Sequence, residues 1–297
     1  MQIIAGLDGG GTRTKILVES IDGSFQEEKE FGPFNLNSIG RPAFKKLLEN
    51  ITSYLESIGE CEALCIGGAG ISNKGMTSII NEHFSASSVK RWKLVGDHEI
   101  VLVGALNGGK GIIFVCGTGS IALGRDNDGS YVRAGGWGHL IGDEGSGYGL
   151  GRDAFFAVTK DIDGYGCHTV LTNLIAKKLG LVTQDDIISY VYSGDKSSVA
   201  ALAPIVEEAY KAGDEIAIQI VRKNAEAAVD IIECVARKMR LESGKVAMHG
   251  GLVSHETSMY HEIISCMNRR MPGFSCIHPE KDSLQGALLL AREMLAE

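Results

Sequence analysis

Asp8 stands between two runs of apolar and β-branched residues and is followed at once by Gly9, Gly10 and Gly11, in the stretch IIAGLDGGGTRTKILV. Residues without a Cβ let backbone N–H groups approach an anion and take positive φ cheaply, so this turn suits phosphates. It is not a P-loop, because Gly6 and Gly11 lead into Thr12 and Arg13 rather than into Lys and Ser/Thr. It is not the dinucleotide fingerprint either, since Thr14, Ile16 and Val18 alternate in the manner of a strand where that motif needs a helix. An acid that closes the first strand is badly placed to touch a phosphate but well placed to hold Mg²⁺ or its water shell. A plain Asp-Gly hairpin turn is the alternative.

Three further segments invite the same question. CGTGS, Cys116 to Ser120, offers amides and hydroxyls suited to a second wall for phosphates. Asp97 closes the strand WKLVGD, at the carboxyl end where α/β units gather their working groups, and could equally cap a helix beginning at His98. Gly250 and Gly251 in HGGLVS follow a strand and either expose backbone to a flat base or ribose or simply turn the chain. The densest segment is GGWGHLIGDEGSGYGLGR, residues 135–152. It sets Trp137, His139, Asp143, Glu144 and Tyr148 among glycines. Carboxylates and amides for hydroxyl groups, with an aromatic ring for a C–H face, suit a sugar. Asp143 or Glu144 could also cap the helix expected near Ser146.

The elements that must position these groups follow from periodicity. After the opening hairpin, the Asp-Gly pair at 22–23 predicts a third antiparallel strand over residues 24–31. Phe44, Leu47, Leu48, Ile51, Leu55 and Ile58 recur at helical spacing behind Pro42. A strand at ALCIGGAG, a helix near 74–84, the strand WKLVGD and another helix complete the order β-β-β-α-β-α-β-α. GIIFVCGTGSIALGRDNDGSYVRAGG then restarts strand, glycine turn, strand, Asp-Gly turn, strand. The echo predicts two α/β domains of one topology facing a cleft, each contributing a glycine turn. Helices dominate from about 148 to 241, followed by strands at KVAMHGG and FSCIHP and a closing helix from Ser283 to Leu295.

The length of 297 residues accommodates two domains with substantial cores. A formal charge of -8 speaks against a nucleic-acid or anionic-membrane surface, so local amides and metal would have to hold any anionic ligand. The opening MQIIAGLDGG lacks the regions of a signal peptide, and no stretch approaches the roughly eighteen apolar residues of a membrane span, so a cytoplasmic protein is expected. Seven scattered cysteines read as reduced, buried thiols. Cys61 and Cys65 in CEALC have ligand spacing, but no second pair completes a metal site.

GLDGGGTRTK, GPFNLNSIG, VGDHEIVLVGAL, CGTGS, GGWGHLIGDEGSGYGLGR, HGG and PEKDSLQGALLLA occur in an order that carries a resemblance. The chain resembles the N-acetylglucosamine kinases of the BadF/BadG/BcrA/BcrD ATPase-like group, in the superfamily of actin, sugar kinases and heat-shock chaperones. The resemblance implies two ribonuclease-H-like domains, 1–108 and 109–279, the first completed by a helix over about 280–297. It implies ATP- and Mg²⁺-dependent phosphorylation of an amino sugar at its 6-hydroxyl (N-acetylglucosamine, N-acetylmuramic acid or glucosamine), by a cytoplasmic homodimer.

By position Asp97 matches the catalytic base and, with Asp8, the metal site. Gly9, Gly10, Gly11, Thr12, Thr14, Gly117, Thr118, Gly119, Gly250 and Gly251 match the nucleotide site. Asn35, five residues before Gly40, matches the family's sugar-binding Asn, and Gly117, Thr118, Trp137, Gly138 and Asp143 match its other sugar contacts. One departure is GGAGISNK, where Ala69 and Gly70 lack the hydroxyl of a serine-containing loop. An ATPase activator of 2-hydroxyacyl-CoA dehydratases, with Cys116 on a bridging iron–sulfur cluster, a broad-specificity hexokinase and a non-catalytic nucleotide-binding regulator are the alternatives.

Overall fold

The computed structural model describes every residue except Ala69, Ser72, Asn127, Ser254, His255 and Glu297. The departure expected at Ala69 therefore lies outside the described residues, whereas Gly70 takes a left-handed φ of 86°. The chain divides into two units, Met1–Lys110 with Pro279–Glu297, and Gly111–His278. Among the described residues no helix is long and apolar enough to cross a membrane.

The first unit begins with strands β1 (Gln2–Gly9), β2 (Thr14–Ser20) and β3 (Gln26–Phe31), an antiparallel meander. Helix α1 (Leu36–Ile58), β4 (Glu60–Gly68), α2 (Lys74–Ser85), β5 (Trp92–Gly96) and α3 (Asp97–Ala105) follow. The sheet order is β3-β2-β1-β4-β5, with β1, β4 and β5 parallel. Alternation along β1 sends Ile3, Ala5 and Leu7 into the core under α1 and α2, and Ile4 into a second core on the other face. Helix α1 starts earlier than its apolar stripe suggests. Asn35 caps a first turn, Gly40 interrupts the helix at φ 75° and ψ 163°, and the stripe runs from beyond Pro42.

In the second unit β6 (Gly111–Cys116), β7 (Ser120–Arg125) and β8 (Tyr131–Gly135) form another antiparallel meander. Six helices come next: α4 (Gly147–Ile162), α5 (Val170–Leu179), α6 (Gln184–Ser193), α7 (Lys196–Ala200), α8 (Ala203–Lys211) and α9 (Glu215–Lys238). Strand β9 (Gly244–His249), α10 (Ser258–Arg270) and β10 (Phe274–Ile277) complete a sheet of order β10-β9-β6-β7-β8. With β6 standing for β1, this is the order of the first sheet. Both units are ribonuclease-H-like α/β domains, and the repetition anticipated from two glycine turns is a repetition of topology.

Helix α11 (Ser283–Glu293) belongs to the first unit, where Leu284, Ala287, Leu288, Leu290 and Ala291 join Ile100 and Val103 in the second core. Its fit depends on absent side chains. A Cβ on Gly286 would lie 1.9 Å from the carbonyl oxygen of Ile100, one on Gly104 would lie 2.1 Å from that of Asp282, and one on Gly6 would lie 2.3 Å from the backbone nitrogen of Leu288. Since the obstacles are backbone atoms, no rotamer change relieves them. Replacing Gly286 with Ala is expected to lower stability by about 1–3 kcal/mol, the usual cost of overpacking, and a two-state denaturant melt of the variant against wild type measures it.

Candidate functional site

In the first unit the groups of interest gather at the carboxyl ends of β1, β4 and β5. Asp8 is level with Gly67, and Gly67 with Val95, so Asp8 and the end of β5 are separated by one strand. Two strand spacings put their backbones about 10 Å apart. Asp8 is partly exposed, and its Oδ2 accepts a hydrogen bond from Ser283 Oγ in the first turn of α11. The turn is closed by Gly10 N–H to Arg13 O at 3.0 Å and tied to the approach of α1 by Phe34 N–H to Gly10 O at 2.9 Å. Gly11, Thr12 and Arg13 are exposed.

The glycines do not serve left-handed backbone as the sequence suggested, because Gly9, Gly10 and Gly11 are absent from the positive-φ residues. Gly9 instead makes room for Phe34, whose ring carbon lies 2.5 Å from where its Cβ would be. Thr14 is also corrected. It is fully buried and its hydroxyl donates to Gly32 O at 2.6 Å, so it holds the turn in shape and presents no hydroxyl to a ligand.

Asp97 is the first residue of α3. Gly96 is its N-cap, with its N–H held by Glu99 Oε1 at 2.9 Å, so the helix begins one residue earlier than expected and Asp97 is not its cap. Its side chain is 55% exposed. Oδ1 accepts from His98 N–H at 2.9 Å and faces His98 Nδ1 at 3.3 Å. The hydrogen bond from His98 is the main reason the Asp97 carboxyl sits below the ordinary carboxylate range, so it is ionised at neutral pH. Asn35 uses Oδ1 to cap α1 through Asn37 N–H at 3.0 Å, which leaves its amide N–H donors to point elsewhere.

The second unit brings three segments together. Strands β6 and β9 are parallel with Val115 level with His249, so the Gly117–Gly119 and Gly250–Gly251 turns leave the sheet side by side. Gly250 has φ 115°, and a Cβ there would stand 2.2 Å from Cys116 O. The start of α4 is pinned to the first turn by Gly147 N–H to Gly117 O at 2.8 Å and Tyr148 N–H to Thr118 O at 3.2 Å. Thr118 and Gly251 are exposed.

Neither Asp143 nor Glu144 caps α4. Ser146 does so itself, accepting from Gly149 N–H, while its hydroxyl donates to Asp143 O at 2.6 Å. The reason is backbone shape: Asp143 is left-handed at φ 64°, which turns its carboxylate away from the helix. That carboxylate is 4% exposed. Oδ1 accepts from Ser120 N–H at 3.2 Å, and Oδ2 lies 2.7 Å from Lys196 Nζ. Each Asp143 oxygen therefore already has one protein partner.

Trp137 is 65% exposed, with the Arg133 guanidinium 5.0 Å from its ring centroid. It is not a core residue. Gly136 and Gly138, at φ 69° and 84°, hold it out in the left-handed corners of the loop.

Lys196 and Asn224 escaped the sequence reading. Asn224 lies on the apolar stripe of α9, where Oδ1 accepts from Gly145 N–H at 3.2 Å and Nδ2 donates to Asp153 Oδ2 at 3.0 Å, anchoring the loop that carries Asp143. A lone amide on an apolar stripe is the signal that could have found it. Nothing in DKSSV marks Lys196.

The cysteine alternatives fail on placement. A bulge between Ile3/Cys61 and Ile4/Ala63 breaks the alternation of β4, so Cys61 faces the core under α1 and Cys65 the core under α11. Cys116 is fully buried, its thiol donates to Gly145 O at 3.2 Å, and burial pushes its pKa up to about 12. It cannot reach a cluster at a subunit boundary. Alkylation with iodoacetamide at pH 8 is accordingly expected to label the exposed Cys167 in the native protein and to reach Cys116 only after denaturation, as peptide mapping would show.

Comparison with known proteins places the chain in a family. The model of the BadF/BadG/BcrA/BcrD ATPase family matches residues 5–291. The chain is 34% identical over 302 residues to the N-acetylmuramic acid/N-acetylglucosamine kinase of Clostridium acetobutylicum, covering 98% of this chain and 99% of that one. It is 28% identical over 318 residues to the N-acetyl-D-glucosamine kinase of Dictyostelium discoideum, covering 98% of each. The solved structure of a candidate N-acetylglucosamine kinase from Chromobacterium violaceum aligns with a TM-score of 0.71 at 28% identity, covering 98% of this chain and 99% of that one. With residues 5–291, nearly its whole length, matched by the family model, the chain belongs to the BadF/BadG/BcrA/BcrD ATPase family.

Proposed function

We propose that the protein is an ATP-dependent kinase of an amino sugar (N-acetylglucosamine, N-acetylmuramic acid or glucosamine) that phosphorylates the 6-hydroxyl, working in the cytoplasm as a homodimer. The observation that carries this reading is Asp97, an exposed and ionised carboxylate at the same sheet edge as Asp8 and the first glycine turn. The amino-sugar activities of its relatives support the substrate class.

Asp97 would accept the proton of the attacking hydroxyl as the O6–Pγ bond forms and the bond from Pγ to the ADP oxygen breaks. Asp8 and Asp97 suit Mg²⁺, which takes one or two protein carboxylates and shares the remainder of its shell with waters and phosphates. When bound, Mg²⁺ would neutralise charge on the triphosphate. The Ser283 hydrogen bond fixes Asp8 Oδ2, so the carboxylate is oriented before any ligand arrives. The amides at Gly11 and Thr12 in one unit, and at Thr118 and Gly119 in the other, would meet the phosphates; the N–H groups of Gly10 and Gly117 close their own turns on Arg13 O and Gly119 O, and Gly9 lies behind them. Gly251 borders a cavity of about 180 Å³ with Leu150, Pro204, Val221 and Met259, an apolar wall suited to a flat base beside Gly250. Trp137, Gly138 and the amide of Asn35 would meet the sugar. Because phosphoryl transfer leaves little covalent work to the protein, alignment and charge neutralisation would supply the rate.

Asp97→Asn is expected to lower kcat by about 10²–10⁴ in a coupled ADP-release assay with N-acetylglucosamine, since it keeps the size but loses the base. A variant with more than about a tenth of wild-type kcat would remove Asp97 from the chemistry. Trp137→Ala should change stability by no more than about 0.5 kcal/mol, as expected of an exposed residue, while raising the sugar KM well beyond the ATP KM. A large fall in Tm with both KM values intact would contradict the sugar-facing role.

A further inference from the structure

We propose that Ser283 is a positioning residue that makes the Asp8 site selective for Mg²⁺ over Ca²⁺, by holding one oxygen of the carboxylate and leaving the other as a single-point ligand. The proposal rests on the kinase reading above, which calls for a divalent cation beside Asp8. It starts from a hydroxyl that its own helix does not use. Asp282 is the N-cap of α11, accepting from Gln285 N–H at 2.8 Å, so Ser283, the first residue of the helix, has no capping to do. Its Oγ donates instead to Asp8 Oδ2, 275 residues away along the chain. The backbone on both sides of this contact is held. A Cβ on Gly104 would lie 2.1 Å from Asp282 O, and the N–H groups of Glu280 and Lys281 donate to Ala105 O and Gly104 O at 3.0 and 3.1 Å, which ties the entry of α11 to the end of α3. Asp8 is itself paired with Lys15 on β2 and with Gly67 on β4. A hydrogen bond between two fixed elements sets the direction of the carboxylate.

The consequence lies in coordination. Among the described residues Oδ1 of Asp8 has no hydrogen-bond partner, whereas a cation that chelated both oxygens would have to compete with the Ser283 proton for Oδ2. Mg²⁺ takes a carboxylate by one oxygen and fills a small octahedral shell with waters and phosphates. Ca²⁺, with about six to eight oxygen ligands in a looser shell, gains from a carboxylate that offers both. The second acid at this sheet edge has the same form, since Asp97 Oδ1 accepts from His98 N–H at 2.9 Å and Oδ2 is left. Each acid thus offers a cation one oxygen.

Charge is preserved while the geometry is restricted. Lys15 is level with Asp8 across the β1–β2 ladder, and alternation puts the two on the face where Ile4 and Leu17 meet α11. An ammonium there could neutralise Asp8. It lies instead 2.7 Å from Glu28 Oε1 on β3, drawn to the far strand. The group that does reach Asp8 is a neutral hydroxyl, which orients the carboxylate without cancelling it. A lysine or arginine at 283 would orient Asp8 and repel the cation at once.

The test compares wild type with Ser283→Ala and Ser283→Thr in the full-length protein, using titration calorimetry with a non-hydrolysable ATP analogue in saturating Mg²⁺, in saturating Ca²⁺ and in EDTA, together with thermal melting. Wild type should bind the analogue more tightly with Mg²⁺ than with Ca²⁺. Ser283→Ala should lower that preference about ten- to a hundredfold, the usual worth of a hydrogen-bond partner behind a metal ligand, while affinity in EDTA holds within about threefold. Thr, which keeps the hydroxyl, should retain the preference. Equal weakening under all three conditions, or a fall in Tm with the Mg²⁺-to-Ca²⁺ ratio unchanged, would make the contact merely structural and overturn the proposal. If the Ala variant does not fold, Ser283→Cys, of similar size but a weaker donor, is read by the same ratio. Wild type whose analogue binding is absent, or the same with either metal, would also overturn it. Wild type that prefers Mg²⁺ but forms no ADP with any amino sugar would instead refute the kinase reading, leaving the metal ratio to judge Ser283.

Discussion

The first unit depends on a helix that the chain supplies only at its end. One face of the β3-β2-β1-β4-β5 sheet would expose Ile4, Leu17, Ala63, Cys65 and Val95 without α11 to cover it. The cover is close because Gly6, Gly104 and Gly286 let backbone approach backbone, leaving no room for a methyl group at any of the three. The same approach sets Ser283 on Asp8, so the helix that completes the core also orients the acid of the first glycine turn. Stability and site geometry in this unit are one constraint, expressed through three missing side chains.

The second unit solves the corresponding problem with polar groups. Asp143 is held in a left-handed turn, Asn224 reaches from α9 to the neighbouring Gly145, and Ser120 closes the contact from the end of the first turn. Ser120 and Lys196 meet on the buried carboxylate itself, and Asn224 ties down the loop that carries it. In a low-dielectric setting such a network is stable only when every member is satisfied, and Lys196 completes it. The glycine density of residues 135–152 therefore has two causes. Gly136 and Gly138 supply left-handed backbone around the exposed Trp137, and Gly145, left-handed as well at φ 70°, also yields space to α9, its Cβ position lying 2.9 Å from that of Ala228.

Charge is distributed in keeping with these two solutions. The acidic chain carries its candidate anion contacts as backbone amides on two turns, with cations placed singly. Asp97 is kept ionised by His98 next to it rather than by any distant group. The cysteines, by contrast, are withdrawn from chemistry: burial lifts the thiols of Cys61, Cys65 and Cys116 to about 12.

The sequence by itself determined the main elements and the repeated order of two glycine turns. Period-2 alternation through Ile3, Ala5 and Leu7, and period-3.6 spacing through Phe44, Leu48, Ile51 and Leu55, are local consequences of which face is buried, and local consequences are legible in a linear string. So are turns that only glycine or Asp-Gly can make. Tertiary structure alone decided what those turns are for. It showed that Gly9 yields to Phe34 and Gly119 to an ion pair, and that Thr14 is a buried donor to Gly32. It also showed that Ser146 rather than its acidic neighbours caps α4, and that one bulge sends Cys61 and Cys65 to opposite faces of a sheet. Each of these depends on a partner from another part of the fold, and spacing along the chain does not encode which atoms will fill the space beside a given Cα.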